Sequence, residues 1–262
     1  MTIRCAAGFF VVTHRLASKF RRPATAMNAR TTLRKPTTAA FTLIELLAVI
    51  AIIAILMKLL FPVVISAKNQ ARRNEATLAA QAIVAACKNY ATDGTYTAFT
   101  SSAAATIVSF GPKTKNTGVK GDQGDYDYDN SELFNVLRNI PSGMNANSKL
   151  NKRNQKYFEQ NVAKDKKNPR SGFADGTGYP SYAPQGAFMD PWGTQYCIVL
   201  DATGADEISA TDVHKYYSDF DTIRKGAISF SLGKDQILGT KENPKRFKGP
   251  SSSDTPDDAI SW

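Results

Sequence analysis

From Phe41 to Phe61 the chain is apolar almost without relief, interrupted only by Thr42, Glu45 and Lys58. About 20 such residues at a 1.5 Å rise cover the ~30 Å hydrocarbon core of a bilayer, so the pattern predicts a transmembrane helix over residues 41–61. Lys58 lies near its outer end, where its ammonium can reach the headgroups. Pro62 follows, and inside a helix it removes one hydrogen bond and kinks or locally opens the turn. Between Ala67 and Tyr90 the pattern changes. Ala76, Ala79, Ile83, Ala86 and Tyr90 recur at helical spacing, while Lys68, Arg72, Arg73, Glu75 and Lys88 take other positions. That stripe predicts an amphipathic helix, ended by the turn signal Asp93-Gly94. A single helix from Phe41 to Thr92 measures about 78 Å at that rise. Its first half is apolar all round and its second half is one-faced.

The C-terminal third changes period again. Gln195 to Leu200 and Ala227 to Leu232 are short β-branched and aromatic runs bounded by turns, which predicts two strands. Asp201 to Glu207 between them reads as a hairpin turn, and its spacing does not fit an EF-hand calcium loop. Residues 95–185 carry weaker signals. Asp122 to Asp129 reads as an acidic loop, Asn130 to Leu137 as a short helix capped by Asn130 or Ser131, and Gly172 to Gly186 as a Gly/Pro/Tyr-rich loop. Lys149 to Arg170 holds eight basic residues against Glu159 and Asp165. Such a run can hold an anionic polymer. A solvated helix or loop is the plainer reading, because Tyr157 and Phe158 are the only aromatics in it and basic runs without stacking platforms are weak evidence.

Composition alters one part of this picture. The chain has 262 residues, 42% hydrophobic and 21% charged, with a net charge of +10. Residues 1–40 contribute eight basic residues and no acid, leaving 25 basic and 23 acidic residues beyond them. The basicity is a leader held on the cytoplasmic side by the positive-inside rule, and no specific nucleic-acid partner is expected. Met27 offers an alternative start that would give a compact basic leader. Cys5 belongs to the leader. Cys87 and Cys197 remain, and an oxidising cell envelope permits them to pair, while two buried thiols behaving as small hydrophobes are the alternative. His214 has no second His nearby in sequence, and no nucleophile motif or phosphate loop accompanies it. The chain is not expected to be an enzyme.

A carboxylate inside hydrocarbon is unfavourable by roughly 2.5–3.5 kcal/mol at a helix centre, so an acid there implies function. Phe41-Thr42-Leu43-Ile44-Glu45-Leu46, directly after a basic leader, resembles the class III signal of type IV pilins and type II secretion pseudopilins. The resemblance implies cleavage after Ala40 by a prepilin peptidase and methylation of the new Phe41 amine. Glu45 would then pair with that amine on a neighbouring subunit and set the stagger of a fibre. The family usually has Gly where Ala40 stands, and tolerates Ala.

Three later stretches extend the likeness: Asp190-Pro191-Trp192-Gly193, Ser231-Leu232-Gly233-Lys234-Asp235 and Asp257-Asp258-Ala259-Ile260-Ser261-Trp262. In this order they resemble the C-terminal half of the major (G-type) pseudopilin. In that family the loop between the last two stretches binds Ca²⁺, which implies ligands at Leu232 (carbonyl), Asp235, Asp257 and Asp258. The donor set suits a hard cation that takes six to eight oxygens. Against it, the loop carries Lys241, Lys245, Arg246 and Lys248, and Gln236 replaces the usual Gly. An ordinary solvated acidic tail is the alternative. Trp192 reads as a turn-packing anchor.

The expected protein is therefore α+β and pilin-like, with a long N-terminal helix on a small antiparallel sheet. Its segments are a leader (1–40), a membrane or filament-core helix (41–61), an amphipathic helix (62–93), a variable insertion (94–189) and a β region with an Asp-rich loop (190–262). The resemblance implies a single-pass inner-membrane precursor with its C-terminal domain in the periplasm. It would assemble into a periplasmic filament with copies of itself and other pseudopilins, on an inner-membrane platform and in contact with lipid, to support protein secretion. Two other readings stay open: a type IV pilus subunit for adhesion, motility or DNA uptake, and an anchored module binding an anionic polymer through residues 149–170.

Overall fold

A computed structural model of the chain describes residues 41–93, 96–100, 105–112, 126–213, 221–234, 236 and 258–262. In chain order its elements are α1 (Leu43–Asp93), β1 (Ile107–Phe110), α2 (Asn130–Leu137), β2 (Gly172–Phe173), β3 (Phe188–Met189), β4 (Cys197–Asp201), α3 (Ala210–Val213), β5 (Ala227–Ser231) and β6 (Ala259–Ile260). Short 3₁₀ turns stand at Tyr96–Phe99 and Gly143–Ser148. The fold is α+β: a long N-terminal apolar helix and a small antiparallel sheet.

Two compact units divide the chain between Ile53 and Ala54. In the first, α1 begins as an apolar rod whose large side chains, Leu43 at 81% exposure among them, have nothing packed on them. This is the one helix among the described residues that is long and apolar enough to cross a membrane. Pro62 does not interrupt it: α1 is helical before, at and after that residue. The expected local opening is absent because Pro deletes one bond, to the carbonyl four residues back, and leaves the flanking ladder in place.

In the second unit the buried stripe of α1 is Ala76, Ala80, Ile83, Cys87 and Tyr90, joined by Ala86. The spacing four, three, four, three keeps one face of the helix on the sheet. Ala79, expected in the stripe, is only half-buried and flanks it. Two Ala in this line bring the helix backbone close to the strands, and Ile83 adds about 1.5–3 kcal/mol of burial energy.

The main sheet has the order β1-β4-β5-β6 and is antiparallel throughout, with Ile107 opposite Asp201, Cys197 opposite Phe230 and Ser231 opposite Ala259. Alternation along each strand sends Val108, Phe110, Ile198, Leu200 and Ala227 to the α1 side. Ile107, Cys197, Val199, Ile228 and Phe230 go to the other face, which Tyr126, Ile208, Ile223, Leu232 and Trp262 cover. Cys87 belongs to the first cluster and Cys197 to the second, so the sheet stands between them. Both thiols are free and buried, and the disulfide the envelope would permit is not formed. Burial pushes the Cys87 thiol up to about 12 and raises Cys197 as well.

Strands β1 and β4 are adjacent in the sheet, and the described residues between them extend the core on the α1 side. Phe134, Phe158, Phe173, Phe188 and Tyr196 make an aromatic cluster with ring centroids from 4.7 Å (Phe173–Phe188) to 5.9 Å (Phe158–Phe173) apart. Gly172-Phe173, expected as loop, is strand β2 paired with β3; the Phe173 ring in the cluster fixes it there. Arg138 lies over the same ring at 3.7 Å and holds Asp175 through two hydrogen bonds of 2.9 and 2.5 Å.

Asn130 and Ser131 are not the cap of α2. Asp129 occupies that position with extended backbone, and Asn130 is already inside the helix. The Asn130 side chain instead donates to the carbonyls of Phe188 (2.9 Å) and Tyr196 (3.1 Å) and accepts from the Phe188 N–H (3.1 Å). It is wholly buried and ties α2 to β3 and the start of β4. Lys149 to Arg170 contains no helix and runs as an irregular rim. The carbonyl of Leu137 accepts from the N–H groups of Tyr157 and Phe158, and Asn151 bonds Val136 and Gln155. Asp201 to Glu207 does turn, around the Asp201 carboxylate, which accepts from Thr203 N–H (2.7 Å) and Oγ1 (2.6 Å). The chain does not pass straight into β5, however. It first makes α3 and a bridge between Ile208 and Ile223.

Candidate functional site

At the start of α1, Thr42 and Glu45 hold each other. The Thr42 N–H donates to Glu45 Oε2 at 2.9 Å, the Thr42 hydroxyl donates to the same oxygen at 2.8 Å, and the Glu45 N–H donates to Thr42 Oγ1 at 3.3 Å. This is a capping box: two of the four N–H groups a helix start leaves open are satisfied reciprocally. The signal for Thr42 is its T-x-x-E spacing to Glu45. Phe41, just before the cap, is 76% exposed. An acid acceptor, a reciprocal cap and the backbone nitrogen of Phe41 thus lie together at the start of an apolar rod. Ala40 and the leader lie outside the described residues.

The three C-terminal stretches come together in the second unit, and Asp190 joins two of them. Its Oδ1 accepts from the N–H groups of Trp192 (2.9 Å), Gly193 (2.7 Å) and Thr194 (2.8 Å), and its Oδ2 accepts from Ser231 Oγ at 2.6 Å. The carboxyl is wholly buried. Burial pushes it up to about 6, against the pull of those four hydrogen bonds. Gly193 is needed in the turn because its φ of +96° lies where L side chains are strained, and a Cβ there would come within 3.3 Å of the Pro169 carbonyl. Trp192 packs between Ala76 of α1 and Ala259 of β6 as a turn anchor. The third stretch enters as β6 on β5.

Of the four oxygen donors expected for a cation, Asp235 and Asp257 lie outside the described residues, as does His214. Leu232 and Asp258 are described. The β5–β6 register, carried one position past Ser231 and Ala259, sets them opposite each other. Leu232 is wholly buried and Asp258 is 2% exposed, so this end of the chain belongs to the wall of the domain and is not a solvated tail. Asp258 is a buried carboxylate, and carboxylates and backbone carbonyls are the two donor types a hard cation takes. Among the described residues there is no cluster of three or more His, Cys, Asp or Glu side chains that could hold a metal by itself.

Residues 36–57 match the prokaryotic N-terminal methylation motif. The chain carries a type IV pilin-like prepilin signal. The match covers the end of the leader, Ala40, Phe41, the capping box and most of the apolar rod. Such a signal implies cleavage by a prepilin peptidase and assembly into filaments with similar subunits, a structural role. The apolar start of α1 is consistent with single-pass membrane anchoring. No curated protein and no solved structure matches the chain.

Proposed function

We propose that the protein is a structural subunit, a pseudopilin, of a type II secretion pseudopilus. It is cut after Ala40, methylated on Phe41 and assembled through the apolar start of α1 on an inner-membrane platform to support protein secretion. The observation that carries this reading is the capped, acid-bearing first turn at the head of an uncovered apolar helix. A soluble domain gains nothing from that arrangement, while head-to-tail packing of such helices produces an open helical assembly. The meeting of Asp190, Ser231 and β6 favours the secretion pseudopilus over a type IV pilus, because these are the stretches that resemble the G-type subunit.

Two measurements test it. Intact mass of the membrane-extracted protein is expected to start at Phe41 plus one methyl group when the peptidase is active, and to retain the leader when it is not. Deletion of the gene is expected to abolish export of a secreted protein while leaving sheared surface fibres unchanged; the reverse outcome would assign it to a pilus.

The C-terminal loop is proposed to hold Ca²⁺ through Asp235, Asp257, Asp258 and the Leu232 carbonyl. The ion would give a polar loop the cohesion that a core gives elsewhere. At a hundredfold excess over Kd, binding stabilises the folded state by about 2.7 kcal/mol, or roughly 5–10 °C in Tm for a domain of this size. Thermal unfolding of the full chain in detergent should show this rise with Ca²⁺ relative to chelator, and Asp258→Asn should remove it. Equal midpoints in both conditions would remove calcium from the account.

A further inference from the structure

The irregular rim between Asn161 and Ser171 encloses a surface depression of about 690 Å³, a size typical of small-ligand sites. Its walls are fixed by backbone bonds to the neighbouring strand and turn. The Phe173 N–H donates to the Asn161 carbonyl (3.0 Å), the Ala163 N–H donates to the Phe173 carbonyl (2.9 Å), and the Ser171 N–H donates to the Asp190 carbonyl (3.0 Å). Ala163 and Pro169 are buried as pegs beneath the rim. A site held in this way loses little conformational freedom when a ligand enters.

Its lining combines three chemistries. Lys164 and Arg170 bring exposed cations, and Asn161 and Asn168 bring side-chain amides that both donate and accept. Val162, 48% exposed, offers an apolar face. Asp165 completes the set. Its Oδ1 accepts from the N–H groups of Lys167 (2.9 Å) and Asn168 (3.3 Å), which shape the turn and hold the carboxyl below its ordinary range. A depression for bare phosphate has no use for a carboxylate acceptor or an apolar wall. A single-stranded nucleic acid needs stacking rings, and the two aromatics of this segment are spent inward, Phe158 in the aromatic cluster and Tyr157 against Tyr90.

We propose that this depression binds an acidic saccharide. The sugar carboxylate pairs with Lys164 and Arg170, its hydroxyls exchange hydrogen bonds with Asn161, Asn168 and Asp165, and the C–H face of the ring lies on Val162. The inference goes beyond the secretion reading and holds for any filament that displays this domain. The test is binding of the full chain in detergent micelles to oligogalacturonate, with a neutral cello-oligosaccharide and an oligothymidylate single strand as comparators. Oligogalacturonate is expected to bind at least tenfold more tightly than either comparator, and to weaken as salt rises. Lys164→Gln with Arg170→Gln should reduce that binding at least tenfold, while Lys88→Gln on α1 leaves it unchanged. Both cations are exposed, so the double variant should unfold at the wild-type midpoint, and Asn168→Ala gives a second, milder loss. Absence of binding, equal binding of the neutral sugar, preference for the single strand or an unaffected double variant would each overturn the proposal.

Discussion

Replacing Glu45 with Ala should abolish filament assembly while leaving membrane insertion intact, and Glu45→Gln separates the two reasons. Ala removes the acceptor for the Thr42 N–H and hydroxyl, a loss of about 1 kcal/mol in helix-start stability. On the proposed pairing it also leaves the Phe41 amine of a neighbouring subunit without a counter-charge, which in a low-dielectric interior is unfavourable by about 3–5 kcal/mol. Gln keeps an oxygen where the capping box needs one but carries no charge. If charge pairing sets the stagger between subunits, both variants lose assembly by more than tenfold, measured as sheared or cross-linked filament per unit of membrane protein. If Glu45 acts only as a cap, Gln assembles normally, and the pairing reading is wrong. Insertion itself should not suffer, since either change makes the span less polar.

Asp190→Ala is expected to cause a large loss of fold stability. It strips the acceptor from three backbone N–H groups and the Ser231 hydroxyl at once. Each unsatisfied buried donor is unfavourable by about 1–3 kcal/mol. The Gly193 N–H retains a weaker bond to the Asp190 carbonyl, so a total of about 3–5 kcal/mol follows. Asp190→Asn keeps Oδ1 for the three backbone donors and can donate to Ser231 Oγ, so it should remain folded. It also reports the titration. With the folded carboxyl raised to about 6 from an ordinary 3.8, the folded chain binds a proton between those values that the unfolded chain has released. The stability from this group is fullest below the lower value, declines as pH rises toward 6 and is level above it. The decline is about 3 kcal/mol. Denaturant midpoints compared between wild type and Asp190→Asn from pH 4 to 7 should differ by that slope. Parallel profiles would show that Asp190 does not titrate there.

What could be read in advance followed the length of each signal. The apolar rod, the helix-period stripe and the two five-residue strands β4 and β5 repeat their pattern often enough to stand out. Strand β1, Ile107-Val108-Ser109-Phe110, had a usable β-branched alternation but lies in a stretch otherwise poor in period. Strands β2, β3 and β6 have two residues each, too few for any period to show, and exist because Phe173, Phe188 and Ala259 find tertiary partners. The stripe runs through Ala80 and Cys87 and not Ala79, a shift the sequence hides because adjacent Ala residues give no hydrophobic contrast. The same limit applied to the site. Glu45 stood out through the oddity of a charge in an apolar run, and Asp-Pro-Trp-Gly marked a turn. Neither showed that Thr42 closes the cap or that the Asp190 carboxylate is the knot between turn and strand, since those facts depend on depth and on residues far apart in sequence.

The adjacency of β1 and β4 has a consequence for how the protein is made. The first pair of the sheet cannot form until the chain has been synthesised through Asp201, the end of β4. Closing so long a loop raises the entropic barrier, and topologies rich in distant contacts fold slowly. Helix α1 can form early from local contacts, while β1 waits with an unsatisfied edge. Nascent chains are therefore vulnerable to mispairing with one another before they mature, and in the proposed filament the supply of subunits is governed by folding speed as well as by expression.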